Sequence, residues 1–165
     1  MSDMAELEAR MKRYEEVEAI KRLKHKYFRC LDQKKWDELS TCFAEDAVSS
    51  YHGGRYRFQG RDKIMEFLSK SLTSRRVGMH HGHHPEIELT SETTATGIWE
   101  AEAYLIDLKE NTSLHEVTFY EDEYVKLNGE WKIKSTGYTN VFEETWNRPD
   151  IQSLKLTENM FKRPE

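Results

Sequence analysis

The chain changes its hydrophobic period after its first third, and that change limits the folds open to it. Met4, Leu7, Met11, Tyr14, Val17, Ile20, Leu23, Tyr27 and Leu31 recur at spacings of three and four, which lays one apolar stripe along a helix. Residues 35–43 predict a short second helix with Trp36, Leu39 and Phe43 on one side. Residues 47–51 and 56–58, parted by Gly53-Gly54, predict two short strands. Residues 61–72 return to helical period through Ile64, Phe67, Leu68 and Leu72. Beyond them the pattern is β: a strand over 77–89 bent near Pro85, then long strands over 94–108, 112–127 and 130–142. Asn128-Gly129 between the last two is a hairpin turn signal. Helices gathered on one face of an antiparallel sheet make an α+β domain. A strongly curved sheet wrapped around the long helix leaves a cavity suited to a small apolar ligand.

At 165 residues the chain reads as one domain. Residues 1–14, rich in Glu, Lys and Arg, read as a helical arm; 15–146 form the domain; 147–165 are a tail or short helix. Acids outnumber bases by 30 to 25, which argues against a nucleic-acid partner. No stretch approaches the ~18 apolar residues of a membrane span. The opening MSDMAELEAR lacks an apolar signal core, so a cytoplasmic protein is expected. Cys30 and Cys42 lie outside any C-x-x-C pair and read as reduced, buried thiols.

Few residues are placed to carry chemistry. Tyr27 lies on the apolar stripe and so points inward. Asp32 ends the first helix, where the macrodipole disfavours an anion; it either caps the next helix, is solvated, or turns into the cavity mouth to orient a histidine. The run His80-His81-Gly82-His83-His84 alternates on a strand, with His80 and His84 on one face and His81 and His83 on the other. It admits a metal site, a surface strand of hydrogen-bonded imidazoles, or one inward histidine acting as acid or base. His81-x-His83 followed by Glu88 has the look of a cupin metal motif, but the preceding glycine spacing differs and no second motif follows. One inward face supplies too few ligands for zinc, so no metal is expected. Tyr51 ends a strand with a hydroxyl that could donate. His115 begins a later strand as a weaker candidate. Parity puts Trp99, Ala101, Ala103 and Leu105 on one apolar face, with Glu100 and Glu102 on the other. A Ser-His-Asp triad, a phosphate-binding glycine loop and a dinucleotide fingerprint are absent from the sequence.

The segments AIKRLKHKYFRCLDQKKWDEL, FAEDAV, MHHGHHPEIEL, TATGIWEAEAYL and YVKLNGEWKIKSTGY resemble, in order and character, the SnoaL-like branch of the nuclear transport factor 2-like superfamily. Within it the pattern is most similar to bile-acid 7α-dehydratases and more distantly to scytalone dehydratase. The resemblance spans roughly residues 15–145 and implies a cystatin-like cone. Its most specific parts are Tyr-Phe-Arg-Cys-Leu-Asp, ending at Asp32, and the His-x-Gly-His-x-Pro-Glu-Ile stretch. By resemblance, Tyr27 and Tyr51 match pocket tyrosines, and Asp32 and His80 match a carboxylate–histidine dyad. Two positions depart: Ala103 stands where the bile-acid enzymes carry an acid, and Asn140 where they carry a base.

The expected activity is therefore that of a cofactor-independent lyase, a dehydratase of a cyclic, largely apolar molecule such as a steroid or polyketide. His80, Asp32, Tyr27 and Tyr51 would be its catalytic residues, and Trp99, Ala103, Asn140 and His115 would line the substrate pocket. A ketosteroid-type isomerase needs the same base and donors, and a non-catalytic ligand-binding or dimerising module is the reading from another class. Val117, Phe119 and Val125 share one parity and would form an exposed apolar patch, so a homodimer or homotrimer is expected.

Overall fold

The computed structural model describes residues 2–161; Met1 and residues 162–165, among them Pro164, lie outside it. The elements run α1 (Ser2–Gln33), α2 (Trp36–Ser40), β1 (Phe43–Tyr51), β2 (Tyr56–Gln59), α3 (Arg61–Ser71), β3 (Arg76–Leu89), β4 (Thr94–Asp107), β5 (Thr112–Leu127) and β6 (Glu130–Asn147), closed by a 3-10 turn at Arg148–Asp150. The strands form one sheet in the order β2-β1-β6-β5-β4-β3. Every neighbouring pair is antiparallel except β1 and β6, which run parallel. Residues 152–161 carry no helix.

One continuous helix spans what the sequence divides into an arm and a core segment. Its stripe is covered only from Ile20 onward. Ile20, Tyr27, Phe28 and Leu31 are buried, whereas Met4, Leu7, Met11 and Tyr14 are exposed. The boundary is braced by Glu16, which accepts from Lys126 Nζ at 2.5 Å and Trp131 Nε1 at 2.6 Å. The helix ends because Lys34 turns left-handed (φ 59°), and the Lys35 amide closes back on the Cys30 carbonyl at 2.9 Å.

The concave face of the sheet packs on α1 through Trp99, Ala101, Tyr120, Tyr124 and Ile133, all buried. Gly82 is what lets α1 lie close to β3: a Cβ there would meet the Phe28 ring at 2.6 Å. The hairpin between β5 and β6 turns on Asn128 and Gly129, both at positive φ, as a type I′ loop requires. Pairing of β3 with β4 shifts register between His83 and Glu86, next to Pro85. That bulge overturns simple alternation. His84 takes φ 44° and points outward to Glu100 at 2.9 Å, rather than sharing the inward side of His80.

Candidate active site

The open end of the cone holds a cavity of about 390 Å3, lined among others by Tyr27, Tyr51, His52, Phe67, His80, Leu105, Glu116, Tyr120, Tyr138 and Glu143. The wall is aromatic and aliphatic with a few convergent polar atoms. A wider groove beside the first half of α1, lined by Arg10, Arg13, Glu16 and Trp131, lies away from every candidate residue.

Asp32 reaches β3 from the last turn of α1. Its Oδ2 accepts the His80 backbone N–H at 3.0 Å, and its Oδ1 lies 2.6 Å from His80 Nδ1. Two donors offset the poor location of a carboxylate at a helix C-terminus. The ring stacks on Phe28, with centroids 6.3 Å apart and planes 12° from parallel. Orientation is thus fixed from two directions, and Nε2 is the ring nitrogen left for a ligand. His81 and His83 stack on each other outside, 5.9 Å apart.

Tyr27 and Tyr51 come from α1 and β1. Burial drives the Tyr27 hydroxyl well above the usual tyrosine pKa and pushes that of Tyr51 up to about 12. Both are therefore neutral O–H groups at any ordinary pH. The Tyr51 hydroxyl is buried without a hydrogen-bond partner, although those of Tyr27 and Ser49 lie near it. An unpaired buried hydroxyl facing a cavity is available to a ligand oxygen.

None of the four expected pocket-lining residues is among those that line the cavity. His115 points to the convex face, where it lies 2.8 Å from Glu102 and 3.5 Å from Glu144. Alternation along β5 turns its neighbours Leu114 and Glu116 inward instead. Trp99 does face inward, but it is sealed in the core, donating from Nε1 to the Tyr124 hydroxyl at 3.0 Å. Ala103 is buried on the concave side between His80 and Glu116 in register. Asn140 lies behind the cavity wall and donates to Glu116 Oε1 at 2.9 Å.

Glu116 is a functional candidate that sequence reasoning missed. It is buried, and desolvation raises its pKa, against lowering by His52 and by the Asn140 hydrogen bond. His52 Nδ1 lies 3.8 Å from it. One ligand atom each of His52, Glu116 and Glu143 fall within 4.8 Å of one another, so these three side chains are those that could hold a divalent cation. The signal available in sequence was parity: Glu116 shares a face of β5 with Tyr120 and Tyr124.

A carboxylate-oriented histidine and neutral tyrosine hydroxyls thus line one apolar cavity, an arrangement chemically able to move protons. The chain belongs to the SnoaL-like domain family, whose model matches residues 12–137. Solved structures agree on the architecture. A Novosphingobium aromaticivorans protein named as a candidate scytalone dehydratase is 29% identical, with a TM-score of 0.75 over 80% of this chain and 88% of that one. Hexachlorocyclohexane dehydrochlorinase LinA-type3 from Novosphingobium barchaimii superposes at a TM-score of 0.77 over 90% and 99% of the two chains, at 17% identity. An NTF2-like protein with a cystatin-like fold from N. aromaticivorans gives 0.70 over 82% and 88%, at 18% identity. Among the described residues, no helix is long and apolar enough to cross a membrane.

Proposed function

We propose that the protein is a lyase that eliminates water, without a cofactor, from a cyclic, largely apolar carbonyl compound of steroid or polyketide type. The carrying observation is the 2.6 Å contact of His80 Nδ1 with Asp32 Oδ1 at the wall of an apolar cavity. Asp32 fixes the tautomer with Nδ1 protonated, so that Nε2 is the base, and it stabilises the cation that forms. His80 removes a proton from the carbon next to the carbonyl. Tyr27 and Tyr51 donate to the carbonyl oxygen as it gains charge. Similarity to a candidate scytalone dehydratase supports the reaction class.

The test is incubation with cyclic β-hydroxy ketones in deuterated water. Elimination that is lost in His80→Gln supports the reading. Deuterium exchange or double-bond migration without water loss turns it into an isomerase, and tight binding with neither makes the cone a carrier.

Self-association belongs to the same reading. Of the expected patch only Phe119 is exposed, with Val117 and Val125 half-buried; Ile98 and Phe142 add exposed apolar side chains. A homodimer or homotrimer would cover them, which light scattering would detect against the 19.6 kDa of one chain.

A further inference from the structure

We propose that Glu116 is a second catalytic residue, the donor that delivers a proton to the departing oxygen while His80 takes the carbon-bound proton. This rests on the lyase reading and adds to it the group that makes hydroxide a workable leaving group.

The sheet register places the two groups. His80 on β3 lies opposite Ala103 on β4, and Ala103 lies opposite Glu116 on β5. Residues directly opposite each other share a face, so the three form one row across the concave wall. With strands ~4.8 Å apart, the Cα atoms of His80 and Glu116 are separated by ~10 Å. Ala103 stands between them in register and is itself buried. His80 and Glu116 both line the same cavity, so an imidazole and a carboxyl reach one bound molecule from two strands.

The surroundings suit a proton donor. A register shift opposite Val117 and Thr118 leaves Val141 unpaired. The bulge brings both Asn140 and Glu143 to the inner side, where simple alternation would give one or the other. The Asn140 amide donates to Oε1, which occupies that oxygen as an acceptor, and the Tyr138 hydroxyl also lies within hydrogen-bonding reach of the carboxyl. The other groups facing Glu116 are His52 from the end of β1, His80 from β3, Tyr120 from β5, and Tyr138 and Glu143 from β6. Arg76, at the cavity rim, is committed to Asp107 at 3.2 Å. No arginine or lysine ion-pairs with Glu116 among the described residues, and burial favours its neutral form.

The step balances. His80 Nε2 takes the α-proton, and the C–H electron pair becomes the carbon–carbon double bond. The C–O pair leaves with oxygen, which takes the Glu116 proton and departs as water. Transfer of the proton from His80 back to Glu116 restores the enzyme.

The experiment compares two probes that differ only in leaving group, a β-hydroxy decalone and its β-acetoxy counterpart. Acetate leaves as a stable anion and needs no proton. Glu116→Gln is expected to slow elimination from the hydroxy probe by ~10^2–10^4-fold while retaining elimination of acetate; His80→Gln loses both. In the unmodified protein, kcat for the hydroxy probe falls as pH rises through the raised pKa of Glu116, and the acetoxy probe lacks that limb, a readout that needs no variant to fold. Equal losses with both probes in Glu116→Gln, or identical pH profiles, overturn the role of Glu116 and leave the lyase reading standing. Failure of the unmodified protein to eliminate from either probe overturns the lyase reading and this role with it.

Discussion

Helix α1 carries two pairs of opposite polarity on the same face, eight residues and about 12 Å apart along its axis, and they behave as opposites. Lys24 lies 2.7 Å from Asp122 with both side chains fully buried. Asp122 also accepts from the Tyr124 and Thr136 hydroxyls, each at 2.6 Å. The ammonium group sits 4.0 Å from the centre of the Tyr120 ring. Both charges are matched, and neither Lys24 nor Asp122 lines a cavity. The Asp32–His80 pair is matched on one side only: Asp32 is saturated by β3, whereas His80 keeps Nε2 toward open space. The sealed pair can only hold the cone together, and the half-open pair can act on a ligand.

Disrupting the open pair should cost the most, and its cost should appear in turnover. His80→Gln is expected to lower kcat by up to ~10^4-fold, equivalent to about 5.5 kcal/mol in the barrier. The urea midpoint should stay close to that of the unmodified protein. A large loss of stability with unchanged turnover would mean that the two pairs have been assigned the wrong way round.

Lys24→Met should do the reverse. It strands the Asp122 carboxylate in the core, a change that typically costs 3–5 kcal/mol of folding free energy. Adding Asp122→Asn removes the orphaned charge and should recover part of that loss. Urea denaturation of the two variants checks this. A single variant as stable as the parent would show that water reaches Asp122.

The same contrast explains what could be read in advance. The change from helical to strand period, the Asn128-Gly129 hairpin and the bend at Pro85 are local signals, and they made the fold legible. The dyad was legible through the family resemblance; Asp32 at a helix end and the histidine run stand out locally, but alone they left Asp32 as a cap, a solvated carboxylate or a histidine's partner, and did not single out His80. Lys24 did not stand out, because a lysine inside an apolar stripe looks like a solvated gap until Asp122, distant in sequence, is brought beside it. Glu116 was hidden by β5 itself. Its outward face carries Val117 and Phe119, and its inward face carries Glu116, Thr118 and Asp122, so hydrophobicity alone does not say which side is buried. The division near residue 14, before which Met4, Leu7 and Met11 lie exposed, was read from the run of Glu, Lys and Arg and not from periodicity, since helical spacing is the same on both sides of Glu16.

Glu116 lies between the two extremes, and pH should reveal it. Its folded pKa is raised, chiefly by desolvation. The neutral form therefore stabilises the fold fully below the ordinary glutamate value of 4.5, and that contribution is lost as pH rises through the raised value. Each unit of elevation is worth about 1.4 kcal/mol at alkaline pH. Glu116→Gln should match the parent in Tm at pH 4 and gain on it progressively above. A gap that instead opens on acidification would mean that the carboxylate form is the one the pocket favours.

The smallest effect should come from the convex face, where His115 offers a control for the inward row. It stands one residue before Glu116 on the same strand and contacts two carboxylates, Glu102 and Glu144, so in a list of polar contacts it looks as well placed as His80. Its partners differ in what surrounds them. Glu102 and Glu144 are solvated, the ring is partly exposed, and exposed pairs of this kind contribute about 0–1 kcal/mol. His115 is not among the residues that line the cavity beside His80. His115→Ala should therefore change stability by less than about 1 kcal/mol, with elimination from a β-hydroxy ketone unaltered. A loss of turnover approaching that of His80→Gln would mean that the convex face takes part in the site, for instance by meeting the pocket of a second copy, and that the inward row is not the whole of it.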